Sequence, residues 1–376
     1  MHCKDLLRGL LLRNGVLCFH RYGMLVYFGI FCFFTLISAV DILLVSNKSK
    51  QNVLFFLIVI TVFFVGGRYW CDNDFQNYVT FFEETPSIAK TSISELFRLY
   101  LLWQVEPGYI FSCSFFKLLG LGYQSIFFLC SMLTFILVVK YFQKASAYPI
   151  LSFFLFFTTL FTLPFVQMRF GVATACVCYA LVQLDSQNKK GYWKWMIIGL
   201  LFHMTALIGF VIYWIYKIEL TRKRSFVLLI CSFAFSLIPI KVIFINVLSI
   251  LGFDRYLRYA DSDSSGLVSL VFLFILLFPF IYYEPVLKKK ITHYHLLAVM
   301  GLSTLLIGCV TREVPILNRF SLLLSVSYCA IIPSYFTLMK KNGTIFCSWV
   351  LLVAYAFLKF LPSLNHIQNY QNFLFK

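Results

Sequence analysis

The stretch VGGRYWCDNDFQNYVTFFEE, residues 65–84, follows directly on an apolar run that reads as a membrane span. In it Arg68, Asp72, Asp74, Glu83 and Glu84 crowd together with Tyr69, Trp70, Phe75 and Tyr78. Ionisable groups are costly at membrane depth, so this cluster belongs just outside the bilayer. Aromatic rings interleaved with charges suit a surface that stacks on sugar rings while holding their hydroxyls and phosphates. That is a first pointer to glycan chemistry at a membrane face.

Working outward, 61% of the 376 residues are hydrophobic and only 12% charged, with a mean hydropathy of +0.85. This excludes a soluble globular chain and predicts an all-α polytopic membrane protein. At roughly 20 apolar residues per span the chain has room for about ten. Apolar runs fall near 24–45, 53–66, 124–140, 149–164, 170–184, 226–240, 267–283, 293–310, 320–339 and 344–361. The net charge of +17 is carried mostly in short loops between those runs, as the positive-inside rule expects, and does not indicate nucleic acid. Of twelve cysteines, most, such as Cys32, Cys130, Cys176, Cys178 and Cys231, lie inside apolar runs, where cysteine acts as a small hydrophobe. Cys71 reads as the one in a wet loop, and no disulfide framework or metal-ligand spacing follows.

Lys/Arg-bearing loops at 46–52, 140–148, 185–194, 217–224, 284–292 and 340–342 are expected on the cytoplasmic side. Residues 68–122 hold six acidic and four basic residues, a net −2, against nine and 28 in the rest, a net +19. The asymmetry places 68–122 outside. Its second half, EPGYIFSCSFFKLLGLG, reads as an external helix lying in the interface, because Lys117, Ser112 and Ser114 disfavour a span. The run 193–217 has basic loops on both sides. Either it folds back at His203 as a re-entrant hairpin, with His203 facing a watery cavity, or it is a single span with a core histidine. Lys4, Arg8, Arg13 and Arg21 contradict a first span that starts outside. Residues 1–23 therefore read as an N-terminal extension, with translation starting at Met24 or an interfacial helix in 10–19. Residues 24–376 read as one membrane domain with the external loop 68–122.

On this topology the external face collects Arg68, Asp72, Asp74, Tyr78, Glu83, Glu84, Glu106, Tyr109, Arg169, Arg312, Glu313 and Arg319. Arg169, in PFVQMRFGVATAC, has no acidic neighbour in sequence. An arginine so placed calls for an anion, and a guanidinium fork fits diphosphate; the plainer reading is an arginine snorkelling to the headgroups. Arg319 in VPILNRF has the same character. Asp74 and Glu106 are candidates to accept a proton from a sugar hydroxyl. Asp72 and Asp74 could bracket a divalent cation, or belong to a solvated loop. Asp41, in the first span, reads as an anchor at its cytoplasmic end. P-loop, G-x-S-x-G, H-E-x-x-H and dinucleotide fingerprints do not occur in the sequence, which argues against nucleotide-driven or serine-hydrolase chemistry.

The order of these landmarks resembles EpsG-like membrane proteins and Wzy-type O-antigen polymerases. GGRY at 66–69, then Asp74, Phe75 and Tyr78, then EPGY at 106–109 match an arginine before a G-T-D-Y-x-x-Y-like element and a following Glu-x-G-Tyr. MRFGVA at 168–173 resembles their I-R-Q-x-I-A element, LFHMTAL at 201–207 their F-H-x-S-A element, and NRF at 318–320 their late arginine. The chain departs from the pattern at Asp72-Asn73 for Gly-Thr, Phe75 for Tyr and Phe170 for Gln.

The resemblance implies a glycosyltransferase-C-like arrangement at the outer face of a bacterial inner membrane. The implied reaction moves a growing glycan from undecaprenyl diphosphate onto a lipid-linked repeat unit. It implies catalytic roles for Asp74, Glu106 and His203, and diphosphate or glycan binding by Arg68, Tyr78, Tyr109, Arg169 and Arg319. No cofactor is expected, and two carboxylates alone rarely specify a metal. The implied partners are the undecaprenyl-diphosphate-linked oligosaccharide, the lipid bilayer and a chain-length-regulating membrane protein, with no nucleic acid. The rivals are an O-antigen ligase or another polyprenyl-dependent glycosyltransferase and, from a different class, a flippase or transporter of lipid-linked oligosaccharide. Transport favours charges lining a path within spans, whereas these cluster on one face.

Overall fold

The apolar runs become helices because a backbone among lipid must satisfy its own hydrogen bonds. The structure, a computed structural model, describes residues 2–43, 47–238, 240–251 and 266–375. In chain order the helices begin with α1 (His2–Leu43), α2 (Asn47–Gly66), α3 (Phe75–Glu84), α4 (Ile93–Trp103), α5 (Pro107–Leu118) and α6 (Gln124–Ala145). They continue with α7 (Pro149–Thr159), α8 (Thr162–Phe165), α9 (Met168–Asp185), α10 (Lys189–Phe202), α11 (Ile208–Tyr216), α12 (Arg222–Cys231) and α13 (Ile240–Leu251). The last are α14 (Leu267–Tyr282), α15 (Glu284–Leu287), α16 (Tyr294–Thr311), α17 (Pro315–Leu324), α18 (Val326–Ser334) and α19 (Asn342–Ser363). Among the described residues, β-type pairing is confined to two isolated antiparallel bridges, Arg68 with Asn372 and Asp72 with Ile367.

Among the described residues, six segments are long and apolar enough to cross a membrane: Gly23–Leu43, Lys48–Gly66, Gln124–Ala145, Tyr294–Thr311, Pro315–Leu338 and Asn342–Ser363. Arg222–Leu237 and Ile240–Asn246, bent by 57°, make a seventh if counted as one span. The chain is an all-α, multi-pass membrane protein. The other runs among the expected ten miss this measure for local reasons. Run 149–164 breaks between α7 and α8, α9 carries Arg169 and Asp185, and α14 has 16 residues.

The chain folds as two units. The first comprises Met1–Phe135, Phe157–Gly171 and Trp349–Lys376. Phenylalanine fills its core: Phe34 meets Phe157 at 4.5 Å, Phe31 stacks on Phe360 at 5.4 Å, and Phe161 stacks on Phe165 at 4.8 Å. The end of α1 is tied by Lys50 Nζ to Asp41 at 2.8 Å and by Trp349 Nε1 donating to Ser38 Oγ at 3.0 Å.

The second unit comprises Ile136–Phe156 and Val172–Ser348. Helix α16 runs through it, buried along most of its length. Gly301 and Gly308 leave room for Leu277 and Ile331, and for Leu270 and Ser321. In the run 193–217 the chain doubles back. Helix α10 ends at Phe202, His203 is extended (φ −163°, ψ 134°), and α11 returns alongside. Tyr192 stacks on Tyr213 at 5.4 Å, Gly209 packs on Met196, and Gly199 on Ala206, an antiparallel register centred on His203. Nearby, Asp185 at the end of α9 accepts hydrogen bonds from Tyr216 and pairs with His293, and His295 Nε2 meets the Tyr216 carbonyl at 2.9 Å.

Candidate active site

Everything between α2 and α5 belongs to the first unit. The loop starts at Gly66 and Gly67, where side chains do not fit. A Cβ on Gly66 would lie 2.8 Å from the Phe128 ring, and one on Gly67 2.5 Å from the Phe63 carbonyl oxygen. The tight turn directs Arg68 inward, where it is fully buried. Its Nε donates to Asp72 Oδ2 at 2.8 Å and its Nη1 to the Val65 carbonyl at 2.8 Å. The guanidinium carbon lies 4.7 Å from the Phe127 ring centre and 5.3 Å from that of Phe165. The Asp74 amide donates to Asp72 Oδ1 at 3.1 Å, so both oxygens of Asp72 are engaged. A buried charge persists only with such a partner set.

Helix α3 follows, with Phe75, Tyr78 and Phe82 on its buried face. Pro107 at the start of α5 needs no amide partner there. Glu106 precedes it, where the helix dipole favours a carboxylate. Tyr109, one turn on, donates from its hydroxyl to the Tyr78 carbonyl at 3.3 Å, and the two rings lie 5.9 Å apart. Arg169, near the N-terminus of α9, is where the dipole repels a cation. It donates from Nη1 to Glu106 Oε2 and lies 5.7 Å over the Tyr109 ring.

Tyr78 is the hub. Burial pushes its hydroxyl above the ordinary tyrosine range, and the charges that act on it most are Arg169, Asp74, Arg68 and Asp72. It stays neutral at working pH, and its oxygen accepts a hydrogen bond from Arg169. Burial works against the Arg169 charge, but Tyr78 and Glu106 outweigh it and hold the guanidinium protonated. Each arginine also keeps a buried donor unmatched: no acceptor among the described residues meets Arg68 Nη2 or Arg169 Nε. One fully buried guanidinium, Arg68, and one part-exposed guanidinium, Arg169, thus lie around one tyrosine, each with an N–H to spare.

Three expectations change. Arg169 is not without an acidic neighbour, because Glu106, distant in sequence, pairs with it. Cys71 does not lie in water: it is fully buried, its thiol between the Tyr69 and Gln371 carbonyls, and burial pushes its pKa up. Asp72 and Asp74 do not form an open pincer, since Arg68 and the Asp74 amide occupy Asp72.

The first unit thus brings together Arg68, Asp74, Tyr78, Glu106, Tyr109 and Arg169. Asp74 is half-buried at the start of α3 and does not cap it. His203 and Arg319 belong to the second unit. His203 accepts from the Thr205 amide on Nδ1 at 3.2 Å and so caps the hairpin turn, which leaves the proton on Nε2. Arg319 is half-buried within α17, a turn inside the helix and not in a loop ahead of it.

Sequence reasoning missed two contributors. Gln124, opening α6, donates to the carbonyls of Gly66 (2.6 Å) and Arg68 (3.1 Å). The C-terminal residues 367–373 run against the loop, with Tyr69 N–H to Gln371 O at 3.0 Å, Gln368 N–H to Cys71 O at 2.7 Å and Phe373 N–H to Gly67 O at 3.0 Å. Amide-rich residues after the last apolar run, HIQNYQN, were the available signal.

Fold and site together define a multi-pass membrane protein with a paired arginine–carboxylate centre built from the loop after α2 and the starts of α5 and α9. The sequence model of the EpsG family matches residues 51–374, nearly the whole chain. The protein belongs to the EpsG family, a Wzy-like polymerase family. No curated protein and no solved structure matches the chain.

Proposed function

We propose that the protein polymerises a surface polysaccharide at the periplasmic face of a bacterial inner membrane, from undecaprenyl-diphosphate-linked repeat units. Family membership supports the polymerase class. The observation that supports the finer reading is the pair of guanidiniums, buried Arg68 and part-exposed Arg169, each with an unmatched N–H beside the protonated Tyr78.

In this reading a hydroxyl of the incoming repeat unit attacks the anomeric carbon of the growing chain. Asp74 takes the hydroxyl proton as the new C–O bond forms. The bond from anomeric carbon to diphosphate breaks, and undecaprenyl diphosphate leaves with the electron pair. Arg169 and Arg68 stabilise the charge that builds on it, and preorganised donors act most strongly in so dry a site. Glu106, Tyr78 and Tyr109 hold Arg169 in place, while the rings of Phe127 and Phe165 flank Arg68. Roles for His203 and Arg319, and a chain-length-regulating partner, rest on the resemblance alone.

Ten crossings complete the arrangement if α7, α9, α14 and the bent pair around Ile238 are added to the six long spans, with the α10–α11 hairpin re-entrant. That count leaves 68–122 outside and the basic loops inside, in a glycosyltransferase-C-like layout. Deleting the gene and resolving surface polysaccharide by electrophoresis tests the function. A polymerase deletion leaves chains of one repeat unit, restored to a ladder by the wild-type gene. Full-length lipid-linked chains that fail to reach the surface would instead identify a ligase, and an unchanged ladder would overturn both.

A further inference from the structure

Among the described residues, three other than glycine have a left-handed backbone: Trp70 (φ 49°), Gln104 (φ 52°) and Gln187 (φ 61°). Gln104 caps α4 and Gln187 lies just past α9, where helix ends adopt this conformation for their own reasons. Trp70 is in mid-loop and has no such reason. A bulky residue there is strained, and strain persists only where the surroundings over-determine it.

The surroundings do so here. The C-terminal segment clamps the loop on both sides of Trp70, through Tyr69 N–H to Gln371 O and Gln368 N–H to Cys71 O. The Cys71 thiol adds a bond to Gln371 O at 3.2 Å and accepts the Gln371 amide at 3.0 Å. Tyr370 anchors the clamp by stacking on Phe64 at 4.5 Å and donating to the Phe64 carbonyl at 2.8 Å. Tyr27 adds a bond to the Gln368 carbonyl at 3.0 Å.

The product of that strain is an outward indole. Trp70 is 43% exposed, while Arg68, Cys71 and Asp72 around it are buried. Its ring rests against Phe75 at 5.3 Å, and the exposed amides of Asn73, Gln76 and Asn77 stand nearby in sequence, with Asp74 among them. An apolar ring face bordered by amide and carboxylate groups matches a pyranose, which has an apolar C–H face and an equatorial rim of hydroxyls. A tryptophan that merely anchors at the headgroups needs no strained backbone.

We propose that Trp70 is a sugar-stacking platform for the lipid-linked repeat unit, and that the C-terminal segment, through Tyr370, is the device that positions it. This rests on the polymerase reading. It adds a binding residue and a positioning segment to the diphosphate centre.

Steady-state kinetics of the full-length protein on the undecaprenyl-diphosphate-linked repeat unit extracted from its host tests it. A ring contact of this kind gives about a three- to tenfold change in affinity. Trp70→Ala should raise KM by that factor with kcat held within about twofold, and Trp70→Phe should recover most of it. Tyr370→Ala should raise KM similarly, and the double variant should be no worse than Trp70→Ala alone, because both act through one ring. An unchanged KM in Trp70→Ala, whether protein levels fall or not, overturns the platform while leaving the polymerase standing. A Tyr370→Ala effect that adds to that of Trp70→Ala overturns the positioning role. Wild-type protein that fails to extend the repeat unit overturns the polymerase reading and the platform with it.

Discussion

Arg169 and Glu106, 63 residues apart in sequence, meet as an ion pair at the starts of two helices. The two helix dipoles act in opposite senses on this pair, favouring the carboxylate and opposing the guanidinium. The arginine is therefore held in place by Glu106 and the ring of Tyr109 and not by its own helix. A cation kept at an unfavourable helix end, with an unmatched N–H, has capacity left for a second anion.

Arg169→Ala should insert normally yet leave glycan chains stalled at one repeat unit, since removing a preorganised donor typically costs on the order of 10²–10³ in rate. Arg169→Lys should recover part of the activity at most, because an ammonium loses the two-pronged geometry. Exchanging the pair, Arg169→Glu with Glu106→Arg, should restore protein level lost in either single change but not the ladder. Long chains from Arg169→Ala at wild-type protein level would return that arginine to a structural anchor.

Asp72→Asn should cost roughly 3–5 kcal/mol of stability, the penalty for leaving a buried charge such as Arg68 without its partner. Thermal unfolding in detergent reads this directly. Gly67→Ala should also destabilise, since its Cβ would lie 2.5 Å from the Phe63 carbonyl oxygen. Variants that melt with the wild type would show that the loop can rearrange around Arg68.

Some of this was legible in the sequence and some was not. Hydropathy located the helices, and flanking charge left 193–217 as either a fold-back at His203 or a single span; the chain reverses at His203. The landmarks GGRY, EPGY and MRFGVA converge on one centre because each lies at a helix end of the first unit. The pairing of Arg169 with Glu106 was not legible, because neither lies near the other in the chain and charge counting is local. Cys71 read as wet for a related reason. Its loop is polar, but residues 367–373 cover it from the far end of the chain. The six long spans fell short of ten because mean apolar content does not reveal a break such as that between α7 and α8.

Burial changes how the topology must be tested. Cys71 should resist a membrane-impermeant thiol reagent in the folded protein, being fully buried with its pKa pushed up. Asn73→Cys, exposed two residues on, should be labelled in intact spheroplasts when the other cysteines are replaced. Lys289→Cys, also exposed, should be labelled only after permeabilisation. The reverse pattern would invert the topology and move the site to the cytoplasm.

The last prediction concerns Asp185, whose cluster lies in the second unit. Burial favours its neutral form, but the hydrogen bonds from His293 and Tyr216 outweigh that and hold its pKa below the ordinary carboxylate value. A depressed folded-state pKa means the unfolded chain binds the proton more readily. The stabilisation is therefore fully present above the unfolded value, near 3.9, and is lost as pH falls through the lower folded value. Asp185→Asn should melt below the wild type at pH 7, since Tyr216 and His293 lose their charged acceptor. The gap should hold down to about pH 4 and narrow below it. Melting curves in detergent across that range give the answer. A gap that closes instead between pH 7 and 5, well above the carboxylate range, would show that Asp185 is not the group being titrated and that the cluster owes its strength to something other than this carboxylate.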